Sequence, residues 1–338
     1  MAGMTSFYAR QLRRELALRN RRYARGRLHV ESYGASPVIV YAPEGERHGN
    51  FFDAAYAAIL SRPDWLKRFD KVHAQARRSL PKAERRWREL DSSMSSDALL
   101  MNVFCTPCVV ESLTVRDALG VEAGAAPVFG WKARVPLKSG RFDRTEVDMR
   151  LGSLLVEAKL TEGDFQTCTP SVVEAYRDFD EVFDREMLPK AELIVGRRKE
   201  AVEFPEEYSQ EYEEPVDPDL FPMPERPMIV EVETGFASYQ LIRNVLAAYA
   251  ERTSFCVLLD ERRPDLREAW FQVMAAVKSA ALRVRLKTLT WQELAALLPA
   301  ELQEFIDEKY GIVAPGREAS PVEEIADGEE SPRENSRT

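Results

Sequence analysis

The stretch TEVDMRLGSLLVEAKL, residues 145–160, contains two runs of alternating polar and apolar residues, which are separated by a Gly-Ser pair. Such alternation is typical of half-buried β-strands, and a pair of small residues between two such runs predicts a tight hairpin. A turn centred on this pair fixes the register of the two strands. We therefore predict that Asp148 lies opposite Glu157, and that Glu146 lies opposite Lys159.

The hairpin is predicted to have one polar and one apolar face, because side chains alternate between the two faces of a strand. The polar face carries three carboxylates and one ammonium group, those of Glu146, Asp148, Glu157 and Lys159. The opposite face can be buried and consists of Val147, Met149, Val156, Ala158 and Leu160. The sequence thus predicts an acidic cluster with one lysine on a sheet whose other face is part of the core.

This polar face predicts a metal site, since clustered carboxylates repel one another unless a cation neutralises them. An all-oxygen ligand set is what hard ions such as Mg²⁺ or Mn²⁺ prefer. Such an ion lowers the pKa of a bound water and neutralises charge on the leaving oxygen of a phosphodiester. The nearby lysine can orient that water or help to deprotonate it, and can counter the charge of the transition state. The expected reaction is metal-dependent hydrolysis of phosphodiester bonds.

The spacing of these residues resembles that of the PD-(D/E)xK nuclease superfamily, because Asp148 is followed by eight residues and then by Glu157-Ala158-Lys159. The resemblance implies that Asp148 and Glu157 bind the metal and that Lys159 acts on the nucleophile. Glu146 is an additional acid, which we expect to be an accessory metal ligand. The proline that often precedes the first acid of the superfamily is replaced here by Val147.

A longer part of the chain, roughly residues 50–300, resembles a poorly characterised bacterial group of restriction-endonuclease-like proteins within that superfamily. The segments that carry this resemblance are residues 95–104, 239–244 and 289–294. The resemblance implies DNA as the substrate and a role in restriction or defence. The alternative is a catalytically inactive protein of the same fold that binds nucleic acid or serves as a subunit of a defence complex.

Beyond the hairpin, predicted strands alternate with predicted helices, which indicates an α/β layer architecture. We predict a restriction-endonuclease-like core in which helices flank a central mixed β-sheet. The predicted divisions are a basic, mainly helical region at 1–90, the nuclease-like core at 91–312 with an acidic insertion at about 200–227, and a disordered acidic tail at 313–338.

One predicted helix, residues 238–252, bears directly on the site. It places Gln240, Arg243 and Asn244 on one face, because residues three and four positions apart are neighbours on a helix. Nucleases of the superfamily often present a glutamine or a basic residue from a helix beside the carboxylates. We therefore expect these three side chains to contact phosphate or to position water, with ordinary surface placement as the alternative.

Three other segments are predicted around the sheet. Residues 97–110 predict an apolar helix that carries Asn102 and Glu111 as polar candidates near the site. Residues 172–187 repeat apolar side chains at helical spacing, which predicts a helix packed on the sheet. Residues 191–196 predict a strand with a buried centre.

Charge is distributed very unevenly along the chain. Residues 1–88 hold 19 Lys or Arg against 8 Asp or Glu, whereas residues 89–338 hold 28 against 48, so the formal net charge of −9 conceals a basic N-terminal part. A basic helix in this part can lie along phosphates. The nucleic-acid contacts that we predict here are Arg13, Arg14, Arg21 and Arg22. A solvated helix face or a partner-binding arm is the alternative.

Several classes of protein are disfavoured. No apolar run approaches the roughly 18 residues of a membrane span, and the N-terminus lacks the apolar stretch of a secretory signal, so we expect a cytoplasmic protein. Cys105 and Cys108 have metal-type spacing, but no second pair follows, which disfavours structural zinc. No phosphate-binding glycine loop is visible, so we expect no nucleotide cofactor.

Cleavage of both DNA strands would require two sites, which favours a homodimer.

Overall fold

The computed structural model describes most of the chain, namely residues 6–32, 38–71, 88–199 and 228–321. The predicted acidic insertion at 200–227 and residues 322–338 of the predicted tail lie outside the described residues. Within the described ranges, no helix is long and apolar enough to cross a membrane.

The described chain contains both helices and strands. The helices are α1 (Phe7–Tyr23), α2 (Asp53–Ser61), α3 (Pro63–Phe69), α4 (Ser96–Phe104), α5 (Leu113–Leu119), α6 (Pro170–Glu174), α7 (Phe179–Val182), α8 (Tyr239–Glu251), α9 (Pro264–Ala275), α10 (Ala280–Arg283), α11 (Trp291–Ala295) and α12 (Ala300–Tyr310). The strands are β1 (His29–Glu31), β2 (Ile39–Tyr41), β3 (Pro43–Glu44), β4 (Arg47–His48), β5 (Pro127–Pro136), β6 (Phe142–Leu151), β7 (Leu154–Ala158), β8 (Thr167–Cys168), β9 (Lys190–Lys199), β10 (Met228–Ala237), β11 (Ser254–Leu259) and β12 (Leu286–Thr290).

Five strands form the central sheet in the order β12, β11, β7, β6, β5. The first three of these run parallel, whereas β6 is antiparallel to both β7 and β5. Helices pack on both faces of this mixed sheet. The predicted α/β fold class is therefore confirmed, and the arrangement is consistent with a restriction-endonuclease-like core. A separate antiparallel sheet has the order β8, β10, β9.

The predicted hairpin is formed by β6 and β7. Met149 pairs with Val156 and Leu151 with Leu154, which confirms the predicted register next to the turn. Gly152 begins the turn with a φ of +57°, a left-handed conformation that glycine adopts at little steric cost. All residues of β7 are buried, because this strand lies between β6 and β11.

Two hydrophobic cores lie on opposite faces of the central sheet. The first contains side chains of α1, α4, α11 and α12 packed on Met149, Val156 and Leu160. The second contains side chains of α8 and α9 packed on Leu155 and Val257. Neighbouring residues of β7 alternate between these cores, so the strand that carries the candidate acid is fixed from both sides.

One hairpin residue lies on the face opposite to the predicted one. Val147 is predicted to share a face with Met149, but the two side chains pack in different cores. On the neighbouring strand, Trp131 packs in the core of Val147, and Phe129 packs in the core of Met149. Gly130 lies between them with a φ of +62°, where strict alternation of a strand is interrupted. The prediction for Val147 is therefore wrong.

Two predicted helices are shorter than their patterns indicate. α4 ends at Phe104 instead of residue 110, because Pro107 cannot continue a helix and Cys108 has a left-handed φ of +67°. Residues 172–187 do not form one helix, since α6 and α7 are separated by Tyr176, which makes a strand-like bridge to Leu137. Of the apolar side chains that repeat there, Tyr176, Phe179 and Phe183 are buried along an irregular segment, whereas Val172 and Met187 are exposed.

Two further predictions concern the edges of the fold. The strand predicted at residues 191–196 exists within β9, but β9 belongs to the separate sheet, and Leu193 and Ile194 are partly exposed, so the predicted buried centre is wrong. The predicted basic helix is α1, whose Leu12 and Leu16 are buried in the first core beside α12. The predicted boundary near residue 90 stays a prediction.

Candidate active site

Asp148 lies on β6 immediately before Met149. Met149 and Val156 form the backbone pair of the hairpin that is farthest from the turn. Asp148 Oδ2 accepts a hydrogen bond of 2.8 Å from the Ala158 N–H on β7. The Asp148 carboxylate thus takes the place of a backbone carbonyl of β6 as the hydrogen-bond acceptor, at the point where β6 and β7 separate. Asp148 is thereby fixed to the strand that carries Glu157.

Glu157 and Lys159 are both buried, with only 2% and 6% of their surface exposed. Glu157 Oε1 lies 2.9 Å from Lys159 Nζ, and Oε2 accepts a hydrogen bond of 2.8 Å from Asn244 Nδ2 on α8. A buried ion pair needs such additional hydrogen bonds to offset its loss of hydration. The Glu157 carboxylate is therefore held in one orientation by two donors.

The charges of the cluster act strongly on one another. Burial raises the pKa of Asp148 well above its usual range, and the charges of Glu157 and Asp97 raise it further. Burial lowers the pKa of Lys159, but the carboxylates of Glu157, Glu162 and Asp148 outweigh burial, so the pKa of this ammonium group is raised overall. Lys159 is a cation in this environment, and a further cation beside Asp148 would favour the ionised carboxylate.

Glu146 is held apart from the other two acids of the hairpin. Its Oε1 accepts hydrogen bonds of 2.7 Å from Arg68 and 2.9 Å from Lys71. Burial raises the pKa of this carboxyl group, but the two cations outweigh burial and lower it overall. Among the described side chains, Glu146 makes no hydrogen bond or ion pair with Asp148, Glu157 or Lys159. Its role as an accessory metal ligand stays a prediction.

Two buried residues beside the cluster are not indicated by the sequence analysis. Arg68 of α3 donates hydrogen bonds to both Asp97 of α4 and Glu146 of β6. Burial raises the pKa of Asp97, although Arg68 opposes this effect, and the charge of Asp97 in turn acts on Asp148. An acid in the first turn of a helix is common because it complements the helix dipole, so Asp97 has no distinctive signal.

The two polar residues predicted on the helix before the sheet lie elsewhere. Asn102 is fully buried, and its side chain accepts from the Phe52 N–H at 2.7 Å and donates to Asn50 O at 3.0 Å. Glu111 is exposed beyond the end of α4. Asn102 therefore joins α4 to the chain before α2, and Asp97 is the residue of α4 that faces the hairpin acids.

The three residues predicted on α8 have different environments. Asn244 is fully buried and donates to Glu157, so in this structure it positions that acid instead of facing solvent. Arg243 is half-buried, with its guanidinium 3.4 Å from Glu146 O and 5.5 Å from the centre of the Tyr239 ring. Gln240 is half-buried in the first turn of the helix. Their contacts with nucleic acid stay predictions.

The four predicted arginines of α1 are exposed. Arg13 donates a hydrogen bond of 3.0 Å from Nε to Thr161 O, two residues after Lys159. Arg21 lies 3.5 Å from Glu31, and Arg22 donates to a backbone carbonyl near the end of the described chain. α1 thus passes beside the strand end that carries the lysine.

The donor set of the site is suited to a small hard cation, although within the described ranges no group of three His, Cys, Asp or Glu is arranged to hold a metal ion. Mg²⁺ is commonly held by one or two carboxylates and keeps several of its waters. Asp148 and Glu157 are two carboxylates on adjacent strands, and the pKa of Asp148 is raised first by burial and then by the negative charges of Glu157 and Asp97. These residues fit Mg²⁺ or Mn²⁺ by their chemistry.

The chain matches a known protein family. A family model described as Restriction Endonuclease associating with ARP matches residues 17–311. No match was found among curated proteins or among solved structures. The matched residues include Arg68, Asp97 and the whole hairpin with its two acids and its lysine.

Proposed function

This chain belongs to the family described as Restriction Endonuclease associating with ARP, and from that premise we propose that it is a metal-dependent nuclease that hydrolyses phosphodiester bonds of DNA. The observation that carries the proposal is the buried cluster of Asp148, Glu157 and Lys159 at the open end of the hairpin. Such a cluster is costly to bury, and perturbed acids of this kind concentrate at functional sites.

Asp148 and Glu157 would hold the metal, which we propose to be Mg²⁺ or Mn²⁺. When bound, such an ion supplies a water of lowered pKa and neutralises charge on a phosphodiester. Within the protein, the Ala158 N–H fixes Asp148, while Asn244 and Lys159 fix Glu157. These contacts hold both carboxylates before any substrate binds.

Lys159 would act chiefly as a fixed positive charge. Its pKa is raised by the surrounding carboxylates, so it offers an ammonium group that can orient an attacking water and stabilise negative charge on the phosphate. Arg243, whose guanidinium lies 5.5 Å from the centre of the Tyr239 ring and 3.4 Å from Glu146 O, would provide a second cation for the phosphate.

The family description names an association with ARP, and we propose that this chain acts together with that partner in a restriction or defence function. A homodimer would supply two sites for cleavage of both DNA strands. Light scattering of the purified protein, alone and on duplex DNA, measures whether a second copy is present.

The test compares cleavage of plasmid and of linear DNA by the wild type, Lys159→Ala and Lys190→Ala, with Mg²⁺, with Mn²⁺ and with chelator. Lys190 is the matched control, because it is exposed and pairs with Glu186 away from the hairpin. We expect cleavage by the wild type and by Lys190→Ala, a loss of at least about a hundredfold in Lys159→Ala, and none with chelator.

Two results would contradict the proposal. Equal cleavage by the wild type and Lys159→Ala would place the chemistry outside the hairpin. Folded wild-type protein that cuts no substrate with either metal would favour an inactive binding subunit. Repeating the assay with the ARP partner added distinguishes that inactive subunit from an enzyme that requires its partner.

A further inference from the structure

A buried arginine joins two acids beside the candidate metal site. Arg68 donates one hydrogen bond from Nη1 to Glu146 Oε1 at 2.7 Å and another from Nη2 to Asp97 Oδ2. A guanidinium group is permanently charged and carries its donors in a rigid planar fork, so one arginine can bind two carboxylates at once. Burial lowers the pKa of Arg68, but the charges of Asp97, Glu146 and Asp148 outweigh burial and raise it overall. A fixed positive charge therefore lies next to the acids of the hairpin.

The helix that carries Arg68 is anchored on β5, an edge strand of the central sheet. Trp65 of α3 donates from Nε1 to the first backbone carbonyl of β5 at 3.1 Å. Further along this strand, a Cβ added to Gly130 would lie 3.4 Å from Arg68 Nη1 and 3.6 Å from Glu146 Oε1. The pair of Arg68 and Glu146 thus packs directly over a residue that has no side chain. The packing of α3 on β5 therefore sets the position of Arg68.

The cations of the site are distributed unevenly among its acids. Lys159 pairs with Glu157 at 2.9 Å, and Arg68 is the only cation that pairs with Asp97 among the residues that the structure describes. Asp148 accepts a hydrogen bond from a backbone N–H, and within the same residues it forms no ion pair. A divalent ion at the hairpin would therefore meet one acid without a cation and one acid that already has a lysine.

A second divalent ion would need further acids. Hydrolytic sites with two metal ions hold them about 3.5–4 Å apart. Asp97 is a buried acid whose charge, after burial itself and the charge of Glu157, raises the pKa of Asp148. A second ion at Asp97 would either lie beside the guanidinium of Arg68, where like charges repel, or displace it. Displacement would leave a buried cation with one of its two carboxylates lost, which is strongly unfavourable.

We propose that Arg68 takes the place of a second metal ion by keeping Asp97 paired. The site then binds one divalent cation, which is held by Asp148 and Glu157. This inference rests on the proposed nuclease function and specifies the number of metal ions at the same site. Arg68 is a positioning residue, since it acts through Asp97. The accessory role predicted for Glu146 would then be open only after removal of Arg68.

The number of bound Mn²⁺ ions is measured by titrating the full-length protein and counting free Mn²⁺ by electron paramagnetic resonance. We expect one ion per chain for the wild type, two for Arg68→Met, and one again for Arg68→Met/Asp97→Asn. The matched control is Arg185→Met, because Arg185 also bridges two acids, at 2.6 Å from Glu174 of α6 and 3.1 Å from Asp180 of α7. This control should bind one ion, like the wild type.

Asp97→Asn in the otherwise wild-type protein tests the proposal without removing Arg68, whose loss leaves a buried carboxylate without its cation. This variant should bind one Mn²⁺ and lose less than about tenfold in affinity, which is below the range for groups that hold a metal ligand in place. Asp148→Asn, which removes the charge of a proposed ligand, should lose more than about tenfold. A larger loss in Asp97→Asn than in Asp148→Asn would overturn the proposal. A wild type that binds two ions or none, or a folded Arg68→Met that binds one, would overturn it too.

Cleavage of DNA with Mn²⁺ is scored separately from the number of bound ions. One ion in the wild type and two in Arg68→Met, without cleavage by either, would support the role of Arg68 and contradict the nuclease function. Cleavage by a wild type that binds two ions would support the nuclease function and overturn the role of Arg68.

Discussion

Asn244 is a buried residue that holds one of the two candidate metal ligands in place. Its side chain is fully buried, and its Nδ2 donates to Glu157 Oε2 at 2.8 Å. Groups that hold a metal-binding side chain in place typically change metal affinity by about 10- to 100-fold when removed. We therefore predict that Asn244→Ala weakens Mn²⁺ binding by about this factor, measured by calorimetric titration, with a proportionate loss of cleavage.

The control for this prediction is Tyr249→Phe, which removes a hydrogen bond to Glu181 at the exposed end of the same helix. This variant should bind Mn²⁺ like the wild type. If Asn244→Ala lowers only the melting temperature and leaves Mn²⁺ affinity unchanged, the amide stabilises the fold without positioning Glu157.

At the residue scale, the site could be predicted from sequence only where its members share one short segment. Asp148 and Glu157 lie on two adjacent strands and Lys159 follows directly after the second, so their spacing alone predicts that they lie together. Arg68 and Asp97 reach the same region from two helices, across a sequence separation that carries no periodic signal. Glu146 has the correct alternation, yet Arg68 of α3 and Lys71 just after that helix hold it away from the other acids.

The hairpin depends on the conformation of its turn. Gly152 has a φ of +57°, and a Cβ added there would lie 2.5 Å from Glu122 Oε1 and 3.1 Å from Ala125 Cβ. Gly140, in the turn between β5 and β6, has a comparable φ of +78° but no heavy atom within 4 Å of an added Cβ. Both alanine variants incur the left-handed strain of roughly 1–2 kcal/mol, and only the first adds a steric clash.

We therefore predict that Gly152→Ala lowers the free energy of unfolding by at least about 1 kcal/mol more than Gly140→Ala does. Chemical denaturation of the two variants measures the difference. Since Glu122 also accepts a hydrogen bond from Ser153 Oγ at 3.1 Å, displacing it weakens the turn further. Equal destabilisation would show that Glu122 and Ala125 move aside freely.

At the element scale, strands were predicted better than helices, for a physical reason. The hairpin strands are specified by local alternation and by a turn that needs glycine, both visible within sixteen residues. The apolar spacing of residues 172–187 is equally regular, but it belongs to an irregular segment, in which Tyr176 and Phe183 form backbone bridges to Leu137 and Val277. Tertiary contacts of that kind leave no local pattern.

The two ends of the described chain are joined across the first core. Asn20 of α1 accepts a hydrogen bond of 2.8 Å from Lys309 Nζ of α12. Lys309 is fully buried, and its Nζ lies 4.4 Å from the ring centre of Tyr41, 5.0 Å from that of Tyr310 and 5.2 Å from that of Tyr23. Within the described residues, no carboxylate forms an ion pair with this ammonium group. The faces of the three tyrosine rings therefore provide most of the interactions that offset the burial of this positive charge.

This arrangement predicts a specific dependence of stability on pH. Burial lowers the pKa of Lys309 well below 10.5, and the charge of Arg27 lowers it further. The folded state then binds fewer protons than the unfolded state between the folded pKa and 10.5, so the free energy of unfolding should rise with pH across that interval. The neighbouring phenols stay protonated in the folded state across this interval, because burial raises the pKa of Tyr23 to about 12 and also raises those of Tyr41 and Tyr310. Their ionisation in the unfolded state near pH 10 opposes the effect of Lys309, so the effect is isolated by comparison with a variant that lacks only Lys309.

Lys309→Met keeps the length of the side chain and removes the proton that titrates. Chemical denaturation of the wild type and this variant at several pH values from neutral to about 10 isolates the effect, since all other groups titrate alike in both proteins. We expect the wild type to gain stability relative to the variant as pH rises, by at most about 1.4 kcal/mol per pH unit. A constant difference would mean that the three tyrosine rings compensate burial completely, so that Lys309 remains charged while it joins the first helix of the chain to the last.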